Sequence, residues 1–122
     1  NKAENIFLMF LSVRIDSEIK TEGYNGSLVD MVFGVDLIVI TNNKYYTYQI
    51  KTGQHVKYND IKRYKNSNVD YLVYVNFQDA KMIVLYLHRY KQKIVSVKKQ
   101  LDIYNVRIKN GPFKYNGLDI IE

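Results

Sequence analysis

The sequence of 122 residues contains no cysteine and only two histidines. Without cysteine the chain can form no disulfide, no thiolate zinc site and no cysteine nucleophile, and two histidines argue against a zinc site. Its longest apolar runs, IFLMFL at 6–11 and MIVLYL at 82–87, are too short to span a bilayer. No glycine-rich phosphate loop and no Ser-His-Asp pattern stands out. These absences favour a cytoplasmic protein that does not enter a membrane.

The length is typical of one domain that buries a core without disulfides, so residues 1–122 are expected to form a single domain. The formal net charge is +6, and it is spread unevenly. Acids outnumber bases by six to three in residues 1–43, whereas bases dominate by six to one in 44–65 and by eight to one in 88–114. Basic zones attract polyanions such as nucleic acids. On charge alone, a nucleic-acid surface and an ordinary solvated surface stay equally open.

Hydrophobic periodicity and turn residues predict a mixed α/β chain without a second domain. Residues 93–107 are ambiguous and could form a strand followed by a helix. A sheet with helices packed on it is the architecture that such an order of elements predicts. The predicted elements are an amphipathic helix with one apolar face at 3–15, strands at 28–33, 35–40 and 45–51, a helix at 57–66, and strands at 70–77 and 82–87.

The apolar stretch GVDLIVITNNKYYTYQIKTG, residues 34–53, holds an acid near its start and Gln-Ile-Lys near its end. The asparagines at its centre favour a tight turn between two strands. Ile40 then faces Tyr45. In an antiparallel hairpin the two residue numbers of each facing pair add up to the same value. That register predicts that Asp36 lies opposite Gln49.

Side chains alternate along a strand, so Gln49 and Lys51 share a face, and Asp36 shares it as the direct partner of Gln49. A carboxylate, an amide oxygen and an ammonium are therefore predicted within a few ångströms. Such a set can hold a hydrated divalent cation beside a scissile phosphate. The alternative is that these are ordinary rim residues of a half-buried sheet.

VDLIVI followed by YQIKTG, with Gln49 thirteen residues after Asp36, resembles the core of the PD-(D/E)XK nuclease superfamily. In that fold an Asp opens one strand and a Glu-x-Lys lies on the next. Gln49 in the place of the Glu is similar to the Q-x-K branch, and QIKTG resembles the group I intron homing endonucleases within it. The resemblance covers roughly residues 3–77 and implies a restriction-endonuclease-like core, helix-strand-strand-strand-helix-strand, with a C-terminal extension.

The resemblance implies a Mg²⁺ site in which Mn²⁺ can substitute. Asp36 would be the principal metal ligand, Gln49 would offer its side-chain oxygen and Ile50 its backbone carbonyl. Because Gln49 is neutral, another acid would compensate for the missing charge. Glu4 on the leading helix is the first candidate, and Asp30 is the second.

Lys51 would position the attacking water or stabilise the charge that develops on the phosphate, while the metal activates the water. Bases on the predicted helix beyond it would hold the DNA backbone across the site. The apolar residues of the same helix are expected in the core. The bases proposed to contact DNA are Lys57, Lys62, Arg63 and Lys65.

Three functions stay open. The first is a Mg²⁺-dependent DNA endonuclease of homing, junction-resolving, restriction or repair type, and the second is a catalytically inactive nuclease-fold module that binds DNA. The third is an interaction domain whose basic surface is incidental. Double-stranded or branched DNA is the expected partner, and a homo-oligomer is expected because small nucleases of this type commonly reach both strands that way. The resemblance allows a mobile element or a virus as the origin of the gene.

Overall fold

A computed structural model of the chain shows a mixed α/β fold. Its described part contains a six-stranded sheet, a separate two-stranded ribbon and three helices. None of these helices has the length and apolar character needed to cross a membrane. The described residues are 2–14, 20–22, 37–41, 44–108, 113–115 and 118–120.

The elements are named in chain order. The helices are α1 (Lys2–Arg14), α2 (Tyr58–Tyr64) and α3 (Lys98–Ile108). The strands of the large sheet are β1 (Lys20–Glu22), β2 (Leu37–Thr41), β3 (Lys44–Thr52), β4 (Tyr71–Asn76), β5 (Lys81–Tyr86) and β6 (Lys91–Ser96). The ribbon pairs β7 (Phe113–Tyr115) with β8 (Leu118–Ile120).

The six strands lie side by side in chain order, and every neighbouring pair is antiparallel except β3 with β4. Parallel neighbours need a crossover connection, and α2 lies in that connection. In the β2–β3 hairpin, Ile40 faces Tyr45 and Leu37 faces Tyr48. The register predicted from the turn residues is therefore confirmed over the described part of this hairpin.

One face of the sheet, here called the α1 face, packs against α1 and α3. The ring of Phe7 on α1 lies 4.9 Å from the ring of Tyr48 on β3, and Tyr48 stacks on Tyr71 of β4 at 4.7 Å. Residues 5–11 of α1 are all buried, so this helix is enclosed on every side rather than along one stripe. The prediction of a one-sided amphipathic helix was wrong because α3 also packs on it, with Tyr104 fully buried.

The opposite face, here called the α2 face, has its own smaller core. Leu72 and Tyr74 of β4 pack there with Tyr64 of α2 and with Ile83 and Leu85 of β5. Because β4 is buried on both faces, it reads as a continuous apolar run, YLVYV.

The predicted elements in the second half of the chain are found with ends shifted by one or two residues. The ambiguous segment 93–107 is a strand followed by a helix, β6 and α3. The strand predicted at 28–33 lies outside the described residues. The three-residue strands β1, β7 and β8 were not predicted, since so short a segment carries no readable periodicity.

Asp70 joins the ends of three central strands. Its carboxylate accepts hydrogen bonds from the backbone N–H of Thr47 at 3.0 Å and from the Thr47 hydroxyl at 3.2 Å. The other carboxylate oxygen lies 2.8 Å from Nε2 of His88, in the turn after β5. Its backbone N–H and C=O bond to Thr47 and Leu87. One half-buried acid thus ties β3, β4 and β5 together.

Asp70→Ala should lower the free energy of unfolding by about 1–3 kcal/mol, because it leaves the partly buried N–H of Thr47 without its acceptor. Urea unfolding followed by circular dichroism measures the change. Asp102→Ala is the matched control, since Asp102 forms only an exposed pair with Lys98 on α3 and should cost about 0–1 kcal/mol. Equal losses in the two variants would contradict the role assigned to Asp70.

Burial raises the pKa of Tyr48 above its ordinary value of 10.0, and the neighbouring Tyr71 adds to the shift. The folded state therefore keeps this phenol protonated at a pH where the unfolded chain has already ionised it. Stability from this group is intact below the unfolded pKa and is lost as pH rises above it. When the pH is raised from about 8 to about 11, we expect the free energy of unfolding to fall less in Tyr48→Phe than in the parent chain. Urea titrations at the two pH values measure the difference. Identical losses would show that Tyr48 ionises equally in both states.

Candidate functional site

Strand β3 presents Gln49 and Lys51 on the α2 face of the sheet. They pair in parallel register with Leu72 and Tyr74 of β4, which belong to the core of that face. The residue between them, Ile50, is buried against α1. Gln49 and Lys51 are each half-buried. Two of the three residues predicted to converge thus share a face, as the alternation of side chains predicted.

The side-chain oxygen of Gln49 is the unusual atom of this face. Oε1 is fully buried and has no hydrogen-bond partner within the part of the chain that the structure describes. A buried acceptor left unsatisfied costs about 1–3 kcal/mol, so each such group in a native fold calls for an explanation. An amide oxygen is also a suitable ligand for hard divalent cations. Gln49 Oε1 is therefore the candidate atom for the metal-ligand role that the resemblance implies.

The ammonium of Lys51 lies beside helix α2. Its Nζ is 5.5 Å from the centroid of the Tyr64 ring, and the guanidinium of Arg63 is 5.4 Å from the same ring. Tyr64 itself is buried. A cation over an aromatic face is held electrostatically, so the contact fixes the Lys51 ammonium near the basic helix.

Tyr74 anchors α2 onto the sheet above Lys51. Its hydroxyl donates to the carboxylate of Asp60 at 2.5 Å and accepts from the backbone N–H of Lys57 at 3.3 Å. Burial raises the pKa of Tyr74, and the hydrogen bond to Asp60 raises it further, so the hydroxyl stays a donor. A Cβ at Gly53 would lie 3.3 Å from the Tyr74 ring, which explains a glycine where β3 leaves the sheet.

The sequence of α2 suits its position. Asp60 lies in its first turn and Lys62 and Arg63 in its last turn, the order that the helix dipole favours. Tyr64 is buried and Ile61 is half-buried, as predicted for the apolar side of this helix. The four bases proposed to contact DNA are all exposed, namely Lys57, Lys62, Arg63 and Lys65.

The predicted acids are not brought to Gln49 by the described residues. Asp36 and Asp30 lie outside those residues. Glu4 is on α1, which covers the other face of the sheet, where it is half-buried and has an interaction of its own. Across the described ranges, no three His, Asp or Glu residues are grouped closely enough to hold a metal ion. Of the expected metal ligands, Gln49 and Ile50 therefore lie within the described residues, and Asp36 does not.

Two features of the α2 face were missed by the reasoning from sequence. One is the Asp70 cluster with Thr47 and His88, whose members lie on or next to three different strands. The other is a groove between α2 and the β5–β6 turn, which Tyr58 and Tyr90 line. The residues of each set are far apart in the sequence and follow no short motif. They could be recognised only once the three-dimensional arrangement of the elements was known.

Gln49→Met should raise the free energy of unfolding by about 1 kcal/mol in metal-free buffer, because it replaces an unsatisfied buried oxygen by an apolar group of similar shape. Gln54→Met is the matched control, since the exposed Gln54 amide already donates to Gln78 and its replacement should not stabilise the chain. Urea unfolding in EDTA measures both. A Gln49→Met variant less stable than the parent would show that the oxygen has a structural partner.

Comparison of the chain with protein families, with curated proteins and with solved structures gave no match. The nuclease-like interpretation therefore depends on this chain's own residues. Its strongest structural part is the shared face of Gln49 and Lys51 beneath the basic helix. The roles of all its site residues stay predictions, namely those of Asp36, Glu4, Gln49, Ile50 and Lys51.

Proposed function

We propose that the protein is a Mg²⁺-dependent endonuclease that hydrolyses phosphodiester bonds of double-stranded or branched DNA in the cytoplasm. The observation that carries the proposal is the buried oxygen of Gln49, which has no partner among the described residues. It lies on the same face of β3 as Lys51, and α2 with its two capping residues brings four exposed bases to that face. A metal-ligand oxygen, a fixed cation and a phosphate-binding surface are the parts that phosphodiester hydrolysis needs. The α2 face offers a candidate for each of them.

The arrangement of the core supports a restriction-endonuclease-like fold. The chain order α1, β1, β2, β3, α2, β4 has the element types of the expected order, helix-strand-strand-strand-helix-strand. In it β1 stands in the place of the strand predicted at 28–33, which lies outside the described residues. The parallel pairing of β3 with β4 across α2 is compatible with such a core. The finer assignment to the Q-x-K branch rests on Asp36, Gln49 and Lys51.

Each residue of the proposed site would have its own role in hydrolysis. The register of the β2–β3 hairpin predicts that Asp36 lies opposite Gln49. Asp36 would hold the cation together with the Gln49 oxygen and the Ile50 carbonyl. When bound, Mg²⁺ lowers the pKa of a water and polarises the phosphoryl oxygen. The Lys51 ammonium would stabilise the negative charge that grows on the phosphate, and its contact with Tyr64 holds it ready for that task.

The exposed bases of α2 would position the substrate. Phosphate contacts fix the register of a protein on DNA but read no sequence, so Lys57, Lys62, Arg63 and Lys65 fit a backbone-binding role. They follow Lys51 closely in the chain, and α2 packs on the strands that hold the site. A homo-oligomer would bring a second such site to the opposite strand.

A DNA-binding module without catalysis is the second candidate. It is favoured by one observation, the lack of a carboxylate cluster in the described ranges. A dead site would keep the phosphate-binding helix and lose the hydrolysis. DNA binding alone therefore does not separate the two candidates, whereas cleavage does.

The test is nicking of supercoiled, forked and four-way DNA in Mg²⁺. Lys51→Ala should lower the cleavage rate by about 10²–10³-fold, the effect of removing one group that stabilises transition-state charge. Asp36→Ala should abolish cleavage, because it removes the principal metal ligand. EDTA should abolish it in the parent chain.

Lys44→Ala is the control for a general loss of positive charge, since Lys44 is exposed on the same strand and lies in the hairpin away from the site. It should leave cleavage within a few-fold of the parent chain. DNA binding without cleavage by the parent chain on every substrate would favour the inactive module. Cleavage that survives Asp36→Ala would refute the proposed site.

A further inference from the structure

A groove of ≈ 270 Å³ lies on the α2 face, away from Gln49. Its lining comes from helix α2 and from the turn that joins β5 to β6: Tyr58, Ile61, Lys62, Lys65 and Tyr90. Ile61 packs into the core of this face and forms an apolar part of the groove. The lining therefore combines two aromatic rings, two cations and no acid.

Both tyrosines are open to solvent. Tyr58 is 75% exposed and Tyr90 is 53% exposed, although the chain has a core that buries other tyrosines completely. An exposed aromatic ring that is held by a helix or a tight turn offers a flat apolar face at little cost in ordering. Two such rings in one groove are a stacking surface for a planar ligand.

The backbone at Tyr90 strengthens this reading. Tyr90 has a φ of 52°, in the left-handed region that bulky residues rarely adopt. The preceding hairpin has the same four-residue turn, and its equivalent position is Ala80, also with a φ of 52°. A small residue therefore serves the turn equally well. The turn itself therefore does not require the aromatic ring at position 90.

Charge identifies the occupant as anionic. Lys62 and Lys65 line the groove, and Arg63 and Arg89 are exposed on the same two segments. The described acids of this face are engaged elsewhere, because Asp60 accepts from Tyr74 and Asp70 binds Thr47 and His88. A flat apolar ring joined to a phosphate is the chemistry that matches two tyrosines and two lysines.

We propose that this groove binds an unpaired nucleotide of a DNA strand, with its base stacked on Tyr58 and Tyr90 and its phosphates paired with Lys62 and Lys65. The inference rests on the proposed function for the identity of the ligand as DNA. It adds a substrate class, DNA with a single-stranded segment such as a fork, flap or open junction. A fully paired duplex hides its base faces and gains nothing from the two rings.

Binding of fluorescein-labelled oligothymidylate and of a duplex of equal length, measured by anisotropy in EDTA, tests the proposal. The parent chain should bind the single strand more tightly than the duplex. Tyr58→Ala and Tyr90→Asn should each weaken single-strand binding about fivefold or more, the lower end of one base–aromatic stack. Asparagine tolerates the left-handed backbone at position 90, so the turn is kept.

Tyr58→Phe should bind the single strand as tightly as the parent chain, because stacking needs the ring and not the hydroxyl. Tyr45→Ala removes an equally exposed tyrosine from the tip of the β2–β3 hairpin and should have no effect. Lys62→Gln with Lys65→Gln should weaken binding and reduce its salt dependence, whereas Lys99→Gln on α3 should not. Single-strand binding that is unchanged in both Tyr58→Ala and Tyr90→Asn would overturn the proposal.

The measurement is independent of cleavage because EDTA removes the metal. Ring-dependent binding of single strands without hydrolysis in Mg²⁺ would support this groove and refute the endonuclease. Hydrolysis in Mg²⁺ with no effect of either ring would support the endonuclease and overturn the groove.

Discussion

The two-sidedness of strand β3 is the constraint on which the rest of the structure depends. Tyr48 and Ile50 are buried against α1, which fixes the strand, and alternation then forces Gln49 and Lys51 onto the other face. A shift by one residue would bury the ammonium under α1 and expose two core side chains. The hydrophobic core of one face therefore determines which polar groups the opposite face can offer.

Helix α2 turns that face into a site. Tyr74 binds Asp60 and the backbone of Lys57, so the helix is held over the sheet by a buried phenol. The ring of Tyr64 then lies beneath the cations of Lys51 and Arg63. Positive charge therefore lies on the face that carries the Gln49 oxygen, an atom without a partner in the described part of the chain. The same helix forms one wall of the tyrosine groove. One seven-residue helix connects the two proposed functions of this face.

The register of the β2–β3 hairpin, the crossover helix and the shared face of Gln49 and Lys51 could be predicted because each depends on local signals: turn asparagines, alternation and an apolar stripe. The enclosure of α1 could not, since it depends on α3 from the far end of the chain. The groove and the Asp70 cluster could not be predicted either, because their residues also come from distant parts of the chain. Asp36, the acid of the predicted site, lies outside the described residues, so its place opposite Gln49 stays a prediction.

We infer that the Gln49 oxygen, which is buried and has no partner among the described residues, binds a metal ion. A crystal grown with Mn²⁺ and measured at the manganese absorption edge tests it directly, since anomalous density locates the ion without reference to activity. The account predicts a peak about 2.0–2.6 Å from Gln49 Oε1, with a carboxylate of Asp36 on the same ion. A Gln49 oxygen hydrogen-bonded to a side chain of the protein, with no manganese beside it, would contradict the claim.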